Sequence, residues 1–120
     1  MNVALLGASD KPDRFAYKAL KKLQAFGHRV FLVNPRLKAV DGETVWPDLS
    51  AIPETVDTVT LYVSAANSNP HQEAMLQIKP RRVIFNPGTE NPGLETALLT
   101  AGIEAVHDCT LLMLDGGRFD

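Results

Sequence analysis

The sequence is poor in cysteine and has no long apolar run, and each shortage excludes a class of protein. Cys109 is the single cysteine among 120 residues, so neither an internal disulfide nor a Cys-x-x-Cys zinc or redox motif can form. The opening residues Met1–Gly7 lack a basic stretch, and their apolar run is far shorter than a signal peptide or a membrane span. We therefore expect a cytoplasmic protein with no membrane partner.

Basic charge is not in excess either. The 12 Lys and Arg residues face 14 Asp and Glu residues, which gives a formal net charge of −2. A protein that binds nucleic acid usually carries a broad basic face, so no nucleic-acid partner is expected. With 45% hydrophobic residues, a chain of 120 residues is expected to fold as a single domain over residues 1–120.

Short apolar segments alternate with helical patterns along the chain. Five segments have the composition of buried strands: Asn2–Leu6, Arg29–Val33, Thr58–Val63, Arg82–Phe85 and Ile103–Val106. The alternation predicts an α/β, Rossmann-like three-layer sandwich with a five-stranded, mainly parallel sheet.

Cap residues and prolines predict where the helices begin. Asp13 is the expected N-cap of a first helix that ends at Gly27. Asn69-Pro70 and Asn91-Pro92 each combine an N-cap with a first-turn proline, and the latter opens a helix over Pro92–Ala101. Between residues 34 and 57 we expect loops, a short extended piece at Thr44–Trp46 and a turn of helix near Ser50.

The loop after the first strand is a candidate phosphate site. Its residues, Gly7-Ala8-Ser9-Asp10-Lys11-Pro12, join a strand to a helix at the point where doubly wound proteins bind phosphate. Gly7 lets the backbone turn, Ala8 and Ser9 are small, and the cations Lys11 and Arg14 lie beside the loop. A valine in place of Gly7 is expected to block the phosphate without preventing folding.

The same loop departs from the known nucleotide fingerprints. It has one glycine where G-x-G-x-x-G has three, so a tight strand-to-helix connection without a ligand stays an alternative. The Walker pattern G-x-x-x-x-G-K-[ST] is missing, which removes nucleotide hydrolysis. A helix end alone contributes about 0.3–1 kcal/mol, so side chains must assist the binding of an anion.

The loop after the second strand, Asn34-Pro35-Arg36, indicates what kind of nucleotide would bind. An NAD-binding protein normally has an acid here for the ribose hydroxyls, whereas this chain has the cation Arg36. A guanidinium grips phosphate well, which suits a ribose that carries its own phosphate. Coenzyme A is the first candidate and NADP the second.

No catalytic or metal-binding constellation stands out. His107, Asp108 and Cys109 are consecutive, and adjacent residues on extended backbone point to opposite sides, so they do not predict a metal site. Ser9 is not part of a G-x-S-x-G elbow and is more simply a phosphate contact or a capping hydroxyl. We therefore expect a protein that binds a small nucleotide ligand, with no metal and no evident catalytic residue, while an enzymatic activity stays open.

Several of these segments together resemble a known family. The start Val3–Ser9, followed by Pro12 and Arg14, looks like that of the small stand-alone CoA-binding proteins, which are similar to the CoA-binding domain of the succinyl-CoA synthetase alpha subunit. The likeness continues through Gly27–Val30, Val33–Pro35, Gly42–Leu49, Ile52-Pro53, Val56-Asp57, Ala101–Ile103 and Asp108-Cys109.

The resemblance implies where CoA or an acyl-CoA would lie. The ligand would cross the carboxyl ends of the strands. The diphosphate would face Gly7, Ala8 and Ser9, and the adenosine with its 3′-phosphate would lie near Asn34, Pro35 and Arg36. Val63 and Ser64 would line the adenine side, and Asn86, Pro87 and Gly88 would approach the pantetheine arm.

The chain also departs from the family pattern. Ser64-Ala65 stands where many relatives have an arginine, and Asp108 directly precedes Cys109 where an arginine is common between them. The usual glutamine-containing turn is replaced by Asn86–Thr89. Three hypotheses therefore stay open: a CoA-binding protein, a small NADP-binding module or reductase, and a scaffold or regulatory protein whose nucleotide site has decayed. The two missing cations are the reason for the third hypothesis. A homodimer or a protein partner is also open, since Thr110–Leu114 could cover the sheet or form a dimer contact.

Overall fold

The first strand lies at the centre of the sheet in the computed structural model, which describes residues 1–120. The seven strands are β1 (Asn2–Leu6), β2 (Arg29–Val33), β3 (Ala39–Val40), β4 (Glu43–Trp46), β5 (Thr58–Leu61), β6 (Arg82–Phe85) and β7 (Glu104–His107). The five α-helices are α1 (Phe15–Ala25), α2 (Ala65–Ser68), α3 (Gln72–Ile78), α4 (Pro92–Thr100) and α5 (Thr110–Asp115). Two 3₁₀ turns, Leu49–Ala51 and Asn69–His71, complete the list.

The strand order is β3-β4-β2-β1-β5-β6-β7, and every neighbouring pair except β3–β4 is parallel. The Rossmann-like α/β class is therefore confirmed. The predicted number of five strands is wrong, because a short antiparallel hairpin extends the edge beyond β2. Its turn is Asp41-Gly42, where both residues have positive φ (50° and 79°), as a type I′ hairpin turn requires.

The sheet is buried on both faces, which explains why its strands are nearly continuous apolar runs. Val3 and Leu5 of β1 point to one face, where they join α1 and α5 in one core cluster. Ala4 and Leu6 point to the other face and join α3 and α4 in a second cluster. This two-residue alternation produces the predicted three-layer sandwich.

Two of the three predicted helix starts are wrong. Arg14, not Asp13, is the N-cap of α1, and no side chain caps that helix. Asn69-Pro70 forms a 3₁₀ turn between α2 and α3 instead of capping α3. The start at Asn91 is confirmed, because its side-chain oxygen accepts from the amide of Leu94.

The apolar segment near the C-terminus is the helix α5. Met113 and Leu114 pack into the core against α1, so this segment covers one face of the sheet, while Leu112 is exposed. A dimer contact through that exposed residue stays a prediction. None of the helices is both long enough and apolar enough to cross a membrane.

Candidate functional site

The candidate site lies at the carboxyl edge of the sheet, where the chain changes direction. The strand β2 lies on one side of β1, and β5 lies on the other side, so the order of the strands reverses at β1. Open α/β sheets bind ligands in the crevice at such a switch point. The two loops singled out from the sequence leave the sheet at this crevice, after β1 and after β2.

The main cleft at this edge has a volume of about 630 Å³. Its lining includes most of the predicted site residues: Gly7, Ser9, Lys11, Arg14, Asn34, Arg36, Val63, Ser64, Pro87 and Gly88. Pro35 lines an adjoining pocket. Ala8 and Asn86 are each only 3% exposed and lie behind the wall of the cleft.

Three cations face the main cleft. Lys11, Arg14 and Arg36 line it, no aspartate or glutamate does, and none of the three forms an ion pair with a carboxylate. Their charged groups also make no hydrogen bond to the protein. A cleft lined by unpaired cations and no carboxylate has the electrostatic character of an anion site.

The amides of the first loop divide into two groups. Those of Gly7 and Ala8 both donate to the carbonyl oxygen of Val33, at 3.0 and 3.1 Å, so they are not free for a phosphate. Gly7 and Ala8, which were expected to face a diphosphate, therefore cannot donate these two amides to it. The amides of Ser9 and of the first α1 residues, Phe15 and Ala16, have no protein acceptor.

Gly7 is required where the loop passes the end of β5. Its φ is +101°, and a Cβ atom built on it would lie 2.6 Å from the carbonyl oxygen of Tyr62. Real side chains do not approach backbone atoms so closely, so only glycine fits. The glycine therefore shapes the cleft through backbone packing, in addition to the turn that the sequence suggested.

Asn34 ties the two loops together. Its Nδ2 donates to the carbonyl oxygen of Ala8 at 2.8 Å. Its Oδ1 accepts from the amides of Arg36 and Leu37 at 2.8 and 3.2 Å, which forms an Asx turn. The side chain thus positions the segment that carries Arg36, and its oxygen has no capacity left for a ligand.

A second, smaller pocket adjoins the main cleft. Its volume is about 410 Å³, and it shares Gly7, Asn34, Arg36 and Val63 with the larger one. The rest of its wall is formed by Leu6, Pro35, Asn67, Pro70 and His71. Asn67 and His71 line this pocket although the sequence did not indicate them, because neither α2 nor the 3₁₀ turn at Asn69–His71 was predicted.

A buried polar network supports the cleft from below. The Asn86 amide group donates to Thr60 Oγ1 and to the Leu61 carbonyl oxygen, both at 2.8 Å, and its Oδ1 accepts from the Thr110 amide at 2.8 Å. Thr60 and Thr110 share a further hydrogen bond of 2.8 Å. The Asn86 side chain is therefore structural, while the following Pro87 and Gly88 reach the cleft.

Two aromatic residues of the cleft were also missed. Tyr62 lines it, yet its hydroxyl is buried without a hydrogen-bond partner, and burial raises the pKa of Tyr62 to about 12. Phe15, at the start of α1, is 67% exposed although it is large and apolar. Neither follows a sequence motif, since only the fold places them beside the loops.

The cluster His107-Asp108-Cys109 does not converge on one point. His107 Nε2 pairs with Glu95 at 2.8 Å, and Asp108 pairs with Arg118 at 3.2 Å. Hydrogen bonds from the Cys109 amide and from Arg118 lower the pKa of Asp108. No group of three or more His, Cys, Asp or Glu side chains could hold a metal ion.

The fold and the cleft define a Rossmann-like α/β protein with a cation-lined crevice at the switch point of its sheet. The chain belongs to the CoA binding domain family, whose model matches residues 1–115. The resemblance seen in the sequence is thereby confirmed.

A curated relative carries the same region within a longer chain. The chain is 29% identical over 98 residues to the ADP-forming acetate–CoA ligase I of Archaeoglobus fulgidus. The match covers 81% of this chain but only 14% of the ligase.

Solved structures share the whole fold. A crystal structure of a protein described as uncharacterized is similar with a TM-score of 0.92 and 43% identity, covering 98% of this chain and 97% of the other. The structure of cell-free ID.343 from Thermus thermophilus is similar with a TM-score of 0.90 and 31% identity, covering 98% and 90% of the two chains.

Proposed function

We propose that the protein binds coenzyme A, or an acyl-CoA, across the carboxyl ends of its strands, without a covalent step of its own. The observation that carries the proposal is the main cleft, whose three unpaired cations face a crevice without a carboxylate. Membership of the CoA binding domain family supports the same ligand class.

The diphosphate would bind at the start of α1. The free amides of Ser9, Phe15 and Ala16 provide donors there, and Lys11 and Arg14 provide charge. Micromolar affinity requires about 8 kcal/mol, and a helix end supplies at most about 2. Most of the affinity would therefore come from the cations and from contacts along the rest of the ligand.

The two ends of the ligand would lie on opposite sides of this diphosphate. Arg36, whose amide is bonded to Asn34, would bind the 3′-phosphate next to Pro35. Pro87 and Gly88 provide the wall along which a pantetheine arm would run, and the exposed ring of Phe15 offers apolar contact at the same cleft.

Calorimetry with CoA and dephospho-CoA tests the proposal. The wild type should bind CoA more tightly than dephospho-CoA by about tenfold or more, because a charge-assisted hydrogen bond contributes about 1.5–3 kcal/mol. Arg36→Gln should remove that difference. Lys38→Gln is the matched control. It also removes one positive charge, two residues from Arg36, but the Lys38 side chain lines neither pocket.

Two outcomes would replace the proposal by one of its rivals. Binding of NADPH but not of CoA would indicate an NADP-binding module. No thermal shift with either ligand, together with a stable partner in a pull-down, would indicate a scaffold with a decayed site. Equal affinity for CoA and dephospho-CoA in the wild type would remove the role given to Arg36.

A further inference from the structure

We infer that a polar clip fastens the β3–β4 hairpin to α1 and thereby holds Arg36 at the cleft, so that contacts outside both pockets determine selection for the 3′-phosphate. The clip joins two carboxylates of the hairpin to three side chains of α1: Asp41 and Glu43 to Tyr17, Lys21 and Gln24. This inference rests on the CoA binding proposed above and adds the positioning residues behind its phosphate specificity.

Arg36 lies in a segment that is closed at its base. The Asn34 amide donates to the Trp46 carbonyl oxygen at 3.0 Å, and the Val45 amide donates to the Lys38 carbonyl oxygen at 3.0 Å. These two bonds close residues 34–46 into one loop that contains both Arg36 and the hairpin. A shift of the hairpin relative to α1 is therefore passed on to the backbone next to Arg36.

The clip lies at the far end of this loop, on one face of α1. Tyr17, Lys21 and Gln24 are spaced by four and three residues, so they share that face. The Tyr17 hydroxyl donates to Asp41 Oδ2 at 2.7 Å, and Lys21 Nζ lies 2.6 Å from the same oxygen. Gln24 Nε2 donates to both carboxylate oxygens of Glu43, each at 2.8 Å.

Apolar contacts lie beneath the clip. Val40 of the hairpin is 1% exposed in the core cluster that includes α1, and Leu37 packs against that cluster. The Tyr17 ring packs there too, while its hydroxyl bonds Asp41. Apolar packing keeps the hairpin on the helix, and the directional hydrogen bonds of the clip fix where along the helix it lies.

The clip acts as a set and not as one strong bond. The side chains of Lys21 and Asp41 are 44% and 42% exposed, and a single ion pair in such a setting contributes little. Asp41 accepts from two donors, however, and the hydrogen bonds from Lys21 and Tyr17 lower the pKa of Asp41. The carboxylate therefore stays ionised at neutral pH and keeps both partners.

The helix α1 connects the clip to the cleft. It begins directly after Arg14, which lines the cleft, whereas no clip residue lines either pocket. By joining α1 to the hairpin, the clip sets the separation of Arg14 and Arg36, the two cations assigned to different phosphate groups of one ligand. A fixed separation favours binding because less conformational freedom is lost when the ligand arrives.

Calorimetry of Asp41→Gly with CoA and dephospho-CoA tests the clip. Glycine accepts the φ of 50° at this position, so the turn persists while the side-chain contacts are lost. Affinity for CoA should fall roughly two- to fivefold, and affinity for dephospho-CoA should stay unchanged, because the loss is that of weak, partly exposed bonds acting through Arg36. Removal of a negative charge alone would strengthen anion binding, so a decrease identifies an effect on position.

Two further variants separate hydrogen bonding from charge. Asp41→Asn removes the charge but keeps a side-chain oxygen for the Tyr17 hydroxyl, so it should retain most of the preference for CoA over dephospho-CoA. Tyr17→Phe keeps the ring and the carboxylate but loses the hydroxyl, so it should lower that preference in the same direction as Asp41→Gly.

Asp115→Ala is the matched control. It removes an ion pair of 2.8 Å with Lys22, which also lies on α1 but joins that helix to α5 and not to the hairpin, so the preference should not change. Hydrogen exchange of the Val45 amide provides a measurement without ligand. It should be faster in Asp41→Gly than in the wild type and the control, because the base of the loop opens more often.

The outcomes separate this inference from the proposed function. Unchanged exchange of the Val45 amide in Asp41→Gly, or a wild-type preference for CoA in that variant, would overturn the clip while CoA binding stands. A change in folding alone would move both affinities together and leave their ratio intact, which also counts against the clip. A wild type that binds neither ligand would overturn the proposed function, and the selection inferred here with it.

Discussion

The side-chain amide of Asn34 donates to the carbonyl oxygen of Ala8 over 2.8 Å, and this bond joins the two loops of the candidate site. The same side chain accepts from the amide of Arg36. One residue therefore sets both the width of the crevice between the loops and the position of its third cation.

Asn34→Ala should weaken CoA binding and lower stability together. Loss of these hydrogen bonds should reduce the free energy of unfolding by about 1–2 kcal/mol, and the released Arg36 segment should bind CoA roughly tenfold more weakly. Asn2→Ala is the control: its Nδ2 also bonds a carbonyl oxygen, that of Thr55 at 2.9 Å, but at the other edge of the sheet. Urea unfolding and calorimetry measure both effects. If the two variants bind CoA equally well, Asn34 does not position the site.

Gly7→Ala should destabilise the domain, contrary to the expectation from the sequence that a larger residue would spare the fold. The new Cβ would meet the Tyr62 carbonyl oxygen at 2.6 Å, and φ is positive. We expect a loss of about 2–5 kcal/mol from strain and overpacking combined. Gly27→Ala separates the two causes, because Gly27 has φ of +85° and open space around its Cβ position, so about 1–2 kcal/mol is expected there. Similar losses in both variants would show that the close approach is unimportant.

Asn86→Leu should be strongly destabilising. It leaves Thr60 Oγ1, the Leu61 carbonyl oxygen and the Thr110 amide without their shared partner in a buried environment. A loss of about 2–4 kcal/mol is expected from these unsatisfied groups. Thermal and urea unfolding measure it. A variant as stable as the wild type would mean that water or a neighbour satisfies the network.

Stability should fall as the pH drops from about 7.5 to about 5.5. Burial lowers the pKa of His28, and this effect outweighs the opposite effect of the Asp120 carboxylate, which lies 3.0 Å from His28 Nε2. The positive charges of the Met1 amino group and of Arg82 lower the pKa further. The unfolded chain, with a histidine pKa of about 6.5, then binds more protons than the folded protein, so acid favours unfolding. The lowered pKa of His71 acts in the same direction.

His28→Gln should reduce this pH dependence. Urea unfolding at the two pH values gives the comparison, and the variant should lose less free energy of unfolding on acidification than the wild type. Identical losses in the two proteins would assign the effect to other groups.

Much of the fold could be predicted from the sequence because the buried strands are apolar and evenly spaced. The start of α4 at Asn91-Pro92 was also predictable, since an N-cap residue followed by proline is a local sequence signal. Of the hairpin β3–β4, only β4 was predicted, as a short extended piece at Thr44–Trp46; β3 was missed although Asp41-Gly42 is a strong hairpin signal. A strand of two residues has no periodicity of its own, so its pairing depends on the neighbouring β4.

The loops that form the candidate site could be predicted from the sequence, but the hydrogen-bonding groups that those loops leave free could not. Strand-end positions follow from the order of the elements, and this places Ser9 and Arg36 at the same edge. Which amides are free depends on contacts distant in the chain, such as Val33 accepting from Gly7 and Ala8. The second pocket depends on a 3₁₀ turn at Asn69–His71. The sequence analysis interpreted Asn69-Pro70 as a helix start, so this turn was not predicted.

The three unpaired cations also affect the protein when nothing is bound. Like charges lining one cleft repel each other, so the empty molecule stores repulsion that a polyanion would relieve. Removing one charge, as in Arg14→Gln, should therefore raise the melting temperature of the ligand-free protein, even as it weakens the hold on phosphate.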